Sequence, residues 1–202
     1  LVAVGTGQLL TEERYTVGKL VQLGFGTHDQ DGKTTLCMAS AVSRYKMSFG
    51  SDGPPGSYED METADVVLLI GANIADNHPI LCQRLERDAR RTLIVVDPRV
   101  TKTAMMADVH LPIKPRSDIA LINGIAHILI REGLIDRGYI AEHTTGFEEF
   151  AAFVATFTPQ HVSKVTGLSE EMIVRRALLY GNAKAAFIGW PMGVNHYTQD
   201  IG

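Results

Sequence analysis

Short, almost uninterrupted runs of apolar residues alternate along this chain with amphipathic segments, and this alternation most constrains the fold. The clearest apolar runs are residues 66–70 and 93–96, and further strands are expected at 111–113 and 185–188, with a detached first strand at 2–4. Strands that are apolar on both faces are typical of a parallel sheet covered by helices on each side. The sequence therefore predicts an α/β fold, with a parallel sheet flanked by helices.

Helix start and stop signals lie between the predicted strands. Ser57 and Asp60 have capping-box spacing for a short helix through Thr63, and Pro79 suits the first turn of a helix running to Arg91. Further helices are expected at 11–23, from Asp118 to Gly133 and from Ser169 to Gly181. The polar, glycine- and proline-containing stretches 24–36 and 50–56 are predicted to be connectors.

Composition narrows the functional class. The formal net charge of −4 argues against binding to nucleic acid or to an anionic membrane surface. No apolar run approaches the ~20 residues of a membrane-spanning helix, so no membrane insertion is expected. Two cysteines far apart in sequence fit a reducing compartment better than a disulfide framework.

We expect two structural regions. Residues 1–40 are predicted to form part of a second α/β lobe, and residues 41–202 an incomplete nucleotide-binding α/β lobe. The chain opens on Leu1 without an initiator Met and closes on Gly202 just after a motif-like segment. The sequence accordingly predicts an internal piece of a longer polypeptide.

Cys37 stands where a polar loop enters a run of small residues. A helix N-terminus favours the ionised thiol, which would suit a soft metal ligand or a nucleophile. On residue type alone, a buried, inert cysteine in a packed turn is the more common case. His78 could also be a ligand, but it has no metal-site spacing with Cys37.

Two strand ends carry residues suited to a nucleotide. Gly71 and Asn73 follow the first apolar strand and precede a helix, which is the arrangement of a Rossmann-like nucleotide-binding lobe. Asp97 and Arg99 follow the next strand, where an acid can hold a ribose hydroxyl and an arginine can meet a phosphate. The alternative is that Gly71 and Asp97 only close tight turns, and the spacing alone does not separate the two interpretations.

The last apolar strand runs into Gly189-Trp190-Pro191-Met192-Gly193-Val194-Asn195-His196. A strand end rich in flat and hydrogen-bonding side chains is where an α/β sheet places its ligand site. An ordinary turn with one amphipathic Trp is the alternative, and the density of polar groups favours the site.

Taken together, these segments resemble the bis-molybdopterin-guanine-dinucleotide oxidoreductases, and within them the catalytic subunit of assimilatory-type nitrate reductases. The resemblance rests on six segments in order along essentially the whole chain: Leu36-Cys37-Met38-Ala39-Ser40-Ala41-Val42; the Gly50–Asp60 loop; Gly71-Ala72-Asn73 with His78-Pro79; Val96-Asp97-Pro98-Arg99; Lys114-Pro115 with Asp118; and Met192-Gly193-Val194-Asn195-His196.

The resemblance implies roles for these residues. Cys37 would supply a thiolate to molybdenum in a bis(molybdopterin guanine dinucleotide) cofactor, with Met38 and Met192 lining the substrate funnel. Gly71, Asn73 and His78 would face a pterin pyrophosphate, and Asp97 and Arg99 the guanosine. Asp118 would reach the guanine, and Gly193 and Asn195 would complete the cofactor contacts.

The activity that the resemblance implies is reduction of nitrate to nitrite by two-electron oxygen-atom transfer. A 4Fe-4S cluster outside this chain would pass electrons from a donor protein or domain. Related formate dehydrogenases typically place His after the ligand residue, whereas Met38 follows Cys37 here. Formate dehydrogenase and a non-catalytic nucleotide-binding or electron-transfer subunit are the alternatives.

The resemblance also sets expectations about compartment and completeness. The form of the 50–56 loop favours the assimilatory branch and a cytoplasmic location, with the periplasm as the alternative. The chain departs from the family pattern because it lacks a cysteine-rich cluster segment and carries Arg116 where relatives commonly have Gly. Asp200 also stands where a small residue is expected. We expect these 202 residues to be inactive alone.

Overall fold

The structure is a computed structural model that describes residues 1–33, 37–87 and 90–195. The chain divides into two compact units, Leu1–Gly53 and a larger unit that begins at Pro54. Each unit is described by itself below. The boundary expected between residues 40 and 41 stays a prediction.

The first unit contains a two-stranded parallel sheet and two helical segments. Strand β1 (Ala3–Gly5) pairs with β2 (Gln30–Gly32), with Ala3 opposite Gln30. Helix α1 (Thr11–Lys19) continues into a π-helical turn (Leu20–Gly24), and α2 covers Ala39–Phe49. Leu10 is the N-cap residue of α1, and its N–H donates a 2.9 Å hydrogen bond to the Glu13 carboxylate. The expected connector at 24–36 therefore contains a strand, β2, among its described residues.

The second unit is built on a four-stranded sheet. Its strands are β3 (Val66–Ile70), β4 (Thr92–Val96), β5 (Val109–Leu111) and β6 (Ala186–Gly189). All neighbouring pairs are parallel, and the spatial order is β5-β4-β3-β6. The predicted α/β class with a parallel sheet flanked by helices is thus confirmed.

Ten helices of the described part of this unit connect the strands. They are α3 (Tyr58–Thr63), α4 (Ile74–Asn77), α5 (Pro79–Glu86), α6 (Lys102–Met106), α7 (Asp118–Arg131), α8 (Arg137–His143), α9 (Phe147–Val154), α10 (Pro159–Thr166), α11 (Glu170–Gly181) and α12 (Met192–Asn195). Helix α5 ends at Glu86, so its expected continuation to Arg91 is wrong. The buried Arg91 guanidinium instead donates to the Met61 and Glu62 carbonyl oxygens at 3.0 and 2.8 Å.

Alternating side chains of β3 enter two separate apolar cores. Val66, Leu68 and Ile70 pack in the core formed with α7, α10 and α11. Val67 and Leu69 pack on the opposite face with side chains of α3, α5 and α6. All five β3 side chains are buried, which explains their continuous hydrophobicity. Among the described helices, none is both long enough and apolar enough to cross a membrane.

Candidate functional site

The chain order of the sheet creates a switch point at the carboxyl end of β3. The chain passes from β3 to β4 and β5 on one side, and later places β6 on the other side of β3. In open parallel sheets, ligands bind in the crevice outside the strands' carboxyl ends at such a point. The turns after β3 and β6 therefore border the candidate site.

Two glycines bring the backbones of these turns into contact. Gly71 follows β3 with φ of +60°, which is a left-handed conformation that favours glycine. A Cβ atom added to Gly193 would lie 2.8 Å from both the Cα and the carbonyl oxygen of Gly71. No side chain fits between the two turns, so glycine at both positions allows the turns after β3 and β6 to pack backbone to backbone.

The Gly71 N–H is not available to an anion, because it donates to the Val96 carbonyl oxygen at 2.8 Å and continues the β3–β4 ladder. The helix that follows, α4, is only four residues long. The N–H of Ala75 donates to Thr103 Oγ1 at 3.0 Å. The predicted strand–turn–helix is present, but its helix is short and part of its backbone is already engaged.

Asn73 lies between this turn and α4, with its side-chain amide held at both ends. Its Oδ1 accepts a 3.1 Å hydrogen bond from Thr103 Oγ1, and its Nδ2 donates to Asp76 Oδ2 at 2.7 Å. Asp76 also accepts a 2.5 Å contact from Lys102 Nζ. The hydrogen bond from Lys102, followed by that from Asn73, lowers the pKa of Asp76 below its ordinary value. Asp76 in turn raises the pKa of Lys102.

Asp97 follows β4 and is almost fully buried, with 6% of its surface exposed. Its Oδ1 accepts a 2.8 Å hydrogen bond from the Arg99 N–H, and its carbonyl oxygen lies 2.8 Å from His110 Nε2. One carboxylate oxygen of Asp97 therefore closes a tight turn, as one of the two interpretations of the sequence predicts. The second oxygen makes no hydrogen bond to a described residue, and it is the atom that could accept from a ribose hydroxyl.

The loop after β5 places Asp118 at the first position of α7, where the side chain is 5% exposed. Ser117 Oγ donates to the Lys114 carbonyl oxygen at 2.6 Å and closes the preceding turn. Arg116 adopts φ of +68° within this turn. Asp118, which is predicted to contact the guanine, thus directly follows a tight turn in which Arg116 has a strained backbone.

The turn after β6 enters α12, which begins at Met192. Met192 is half-buried and Asn195 is 6% exposed. His196, the last residue of the sequence motif, lies outside the described residues. His78 is exposed at the junction of α4 and α5, and it lines a cavity of about 400 Å³ together with Tyr58 and Arg84.

Cys37 and Met38 belong to the first unit, and every other predicted site residue belongs to the second. Both side chains are half-buried and immediately precede α2, with the Met38 carbonyl oxygen accepting from the Val42 N–H at 2.8 Å. Cys37 forms no disulfide, and no group of three or more potential metal-binding His, Cys, Asp or Glu side chains occurs in the described ranges.

A sequence model of molybdopterin oxidoreductases matches residues 1–200. This chain belongs to the molybdopterin oxidoreductase family. Family membership implies a molybdopterin cofactor in the whole protein.

Relatives in the family differ in their named activities. Over 98% of its length the chain is 44% identical to a nitrate reductase of Synechocystis, and over 94% it is 36% identical to the F420-dependent formate dehydrogenase subunit alpha of Methanocaldococcus jannaschii. The chain covers 28% of each of these proteins. Acetylene hydratase from Pelobacter acetylenicus has a similar structure, with a TM-score of 0.74, 26% identity, and coverage of 95% of this chain and 26% of the hydratase.

The second unit fits a molybdopterin oxidoreductase cofactor with a dinucleotide tail in one testable respect. Asp97, at the carboxyl edge of the sheet where Gly71 and Gly193 pack backbone to backbone, has one carboxylate oxygen that makes no hydrogen bond to a described residue. Sequence reasoning missed Thr103 and His110, which hold Asn73 and the Asp97 carbonyl group. The only sequence signal for Thr103 is its place shortly after the Asp97-Pro98-Arg99 turn.

Proposed function

We propose that the whole protein reduces nitrate to nitrite with molybdenum bis(molybdopterin guanine dinucleotide). The observation that carries this proposal is Met38 directly after Cys37, where the resemblance places His in formate dehydrogenases. The identity of 44% to a nitrate reductase, against 36% to the formate dehydrogenase subunit, supports the same choice.

In the proposed reaction, nitrate takes up two electrons and two protons and yields nitrite and water. The bound cofactor supplies the two-electron redox chemistry. Cys37 would hold the metal through its thiolate, a soft ligand suited to such a centre. Met38 and Met192 would present apolar, polarizable side chains to the small anion and restrict water.

Residues of the second unit would hold one nucleotide tail. The turns that meet at Gly71 and Gly193 would border a pyrophosphate, with Asn73, His78 and Asn195 beside it. The uncommitted Asp97 oxygen would accept from a ribose hydroxyl, while the Arg99 guanidinium would offer a planar cation to phosphate or base. Asp118 would accept from the guanine edge.

The whole protein would also need an electron source. A 4Fe-4S cluster and an electron donor protein or domain are proposed for this role. The assimilatory form of the 50–56 loop favours a cytoplasmic location over the periplasm, and a twin-arginine leader in the full-length sequence would contradict that assignment.

Formate oxidation is the second candidate, favoured by the identity of 36% to a formate dehydrogenase subunit over 94% of the chain. A non-catalytic electron-transfer or nucleotide-binding subunit is a third candidate, and Cys37 argues against it because a subunit without the metal needs no thiolate. An assay of the full-length protein with nitrate and with formate separates the first two. Turnover of formate without turnover of nitrate would reverse their order.

The proposed metal ligand is tested by Cys37→Ser in the full-length protein. A change of outer-shell partners typically costs about 10–100-fold in metal affinity or activity, so loss of a direct ligand should reduce nitrate turnover by at least about 100-fold. Pterin content should remain, because the nucleotide contacts are untouched. Turnover and pterin per polypeptide are measured side by side.

Cys82→Ser is the matched control, because it makes the same atomic change at the other cysteine. Cys82 is buried in α5, where its thiol contacts Met106 Sδ at 3.7 Å, and burial raises its pKa. We expect reduced stability with nitrate turnover per folded molecule retained. Unchanged turnover in Cys37→Ser would contradict metal ligation.

A further inference from the structure

Thr103 is a buried threonine that follows β4 in the chain, but its hydroxyl hydrogen-bonds to the turn that follows β3. It lies in α6, the helix that follows the Asp97–Arg99 turn, and none of its surface is exposed. A buried hydroxyl costs free energy unless it is hydrogen-bonded, so its partners matter. Both of them lie 28–30 residues earlier, in the turn that follows β3.

The hydroxyl acts as donor and acceptor at once. Thr103 Oγ1 donates to Asn73 Oδ1 at 3.1 Å and accepts from the Ala75 N–H at 3.0 Å. Ala75 belongs to α4, which at four residues is too short to hold its own conformation. The Thr103 hydroxyl therefore stabilises a backbone conformation that the residues of α4 would not hold by themselves.

A second bridge joins the same two segments. Asp76 of α4 accepts from Asn73 Nδ2 at 2.7 Å and from Lys102 Nζ at 2.5 Å. Because Lys102 and Thr103 are adjacent, the Asn73 amide is held at both ends by α4 and α6 together. This closed ring fixes the orientation of Asn73 and the backbone that follows Gly71.

Helix α6 is itself tied to the turn that carries Asp97. Thr101 caps α6 by accepting from the Ala104 N–H at 3.1 Å, and its own N–H donates to the Arg99 carbonyl oxygen at 3.0 Å. The Arg99 N–H in turn donates to Asp97 Oδ1 at 2.8 Å. These hydrogen bonds, together with the backbone from Thr101 to Thr103, thus link Asp97 to Asn73.

We propose that Thr103 is a positioning residue that locks the turn after β3 to the turn after β4, so that both meet one dinucleotide tail in a fixed geometry. The inference rests on the proposed cofactor function and extends it to a residue that need not touch the cofactor. The Thr103 hydroxyl is the one group that this geometry requires. The Asn73 side chain contributes by holding the turn after β3 in place.

The test compares Thr103→Val with Thr103→Ser in the full-length protein as purified with its cofactor. Valine keeps the shape and loses both hydrogen bonds, whereas serine keeps the hydroxyl. We expect Thr103→Val to raise amide hydrogen exchange in residues 71–77 about tenfold and to release molybdenum and pterin about 10–100-fold faster. Thr103→Ser should remain within about twofold of wild type in both readouts.

Thr166→Val is the matched control. Thr166 is equally buried, and its hydroxyl also makes two hydrogen bonds, to the Val162 carbonyl oxygen at 2.8 Å and from the Leu168 N–H at 3.2 Å. This substitution should lower the unfolding temperature but leave exchange in residues 71–77 and cofactor release unchanged. Faster release in Thr166→Val to the same extent would show a general loss of stability and overturn the proposal.

Each of the other possible outcomes also tests the positioning role of Thr103. Unchanged exchange in Thr103→Val, failure of serine to rescue, or faster exchange with wild-type cofactor retention would each overturn the positioning role. Failure of the proposed function is recognised separately, because it would appear in the wild-type protein as absence of molybdenum or of nitrate turnover. In that case, comparing amide hydrogen exchange in Thr103→Val and Thr103→Ser would still test whether the Thr103 hydroxyl fixes the turn after β3.

Discussion

At the scale of single residues, Arg116 occupies a backbone conformation that its side chain disfavours. Its φ of +68° makes it the one non-glycine residue with a positive φ among those described. The conformation is imposed by the turn in which the Ser117 N–H and Oγ both contact the Lys114 carbonyl oxygen, at 3.3 and 2.6 Å. Glycine, which the resemblance leads us to expect at this position, would adopt the left-handed conformation without strain.

Arg116→Gly should therefore stabilise the protein. Relief of the left-handed conformation is worth about 1–2 kcal/mol, and the greater freedom of glycine in the unfolded chain costs about 0.5–1 kcal/mol. The expected net gain is up to about 1.5 kcal/mol, measured as a higher unfolding temperature.

Arg131→Gly is the control for this prediction. It makes the same change in the last turn of α7, where the backbone is helical, and should destabilise by up to about 1 kcal/mol. If both variants lose stability, strain at Arg116 is not the governing effect.

At the scale of elements, the best-predicted features depend on neighbours in sequence. The Ser57–Asp60 capping box is confirmed: the Ser57 N–H donates to Asp60 Oδ2 at 2.7 Å, and the Asp60 N–H donates to Ser57 Oγ at 3.2 Å. The hydrogen bond from the Ser57 backbone, followed by that from its side chain, lowers the pKa of Asp60. Helix α3 is thereby stabilised by an ionised carboxylate at its N-terminus.

Asp60→Asn should show a pH-dependent cost. A carboxyl group with a lowered pKa contributes stability above its unfolded pKa of about 4, and this contribution disappears as pH falls through the lower folded value. Wild type should therefore be more stable than Asp60→Asn at pH 7, and the difference should be smaller at pH 3. Urea unfolding at both pH values measures it.

Glu59→Gln is the charge-matched control within the same first helical turn, because the Glu59 side chain makes no hydrogen bond to Ser57. A pH-dependent loss of equal size in both variants would contradict the capping-box explanation and indicate a general charge effect.

Elements that depend on distant contacts were harder to predict. The buried strand β3 has the expected bounds, but β2 consists of Gln30, Asp31 and Gly32, which carry no apolar signal. Strand β5 covers Val109–Leu111 rather than 111–113, and no apolar run marks its beginning at Val109-His110. The sequence likewise predicts the turn residues of the candidate site, whereas the bonds from Thr103 to Asn73 and Ala75 join segments that only the fold brings together.

At the scale of the whole molecule, the order β5-β4-β3-β6 determines where chemistry can occur in the second unit. It brings the turn after β3 against the turn after β6, with the backbones of Gly71 and Gly193 in contact. The first unit contributes Cys37 ahead of α2. The proposed function assigns the metal ligand to the first unit and the contacts to one nucleotide tail to the second.

The most direct test is a crystal structure of the full-length protein with anomalous diffraction data collected at the molybdenum absorption edge. We expect a single molybdenum peak at bonding distance from Cys37 Sγ, and dinucleotide density beside the turns at Gly71 and Gly193. A structure in which the Cys37 thiol points into a dry interior away from any metal, or in which the nucleotide lies elsewhere than the carboxyl edge of the sheet, would contradict it.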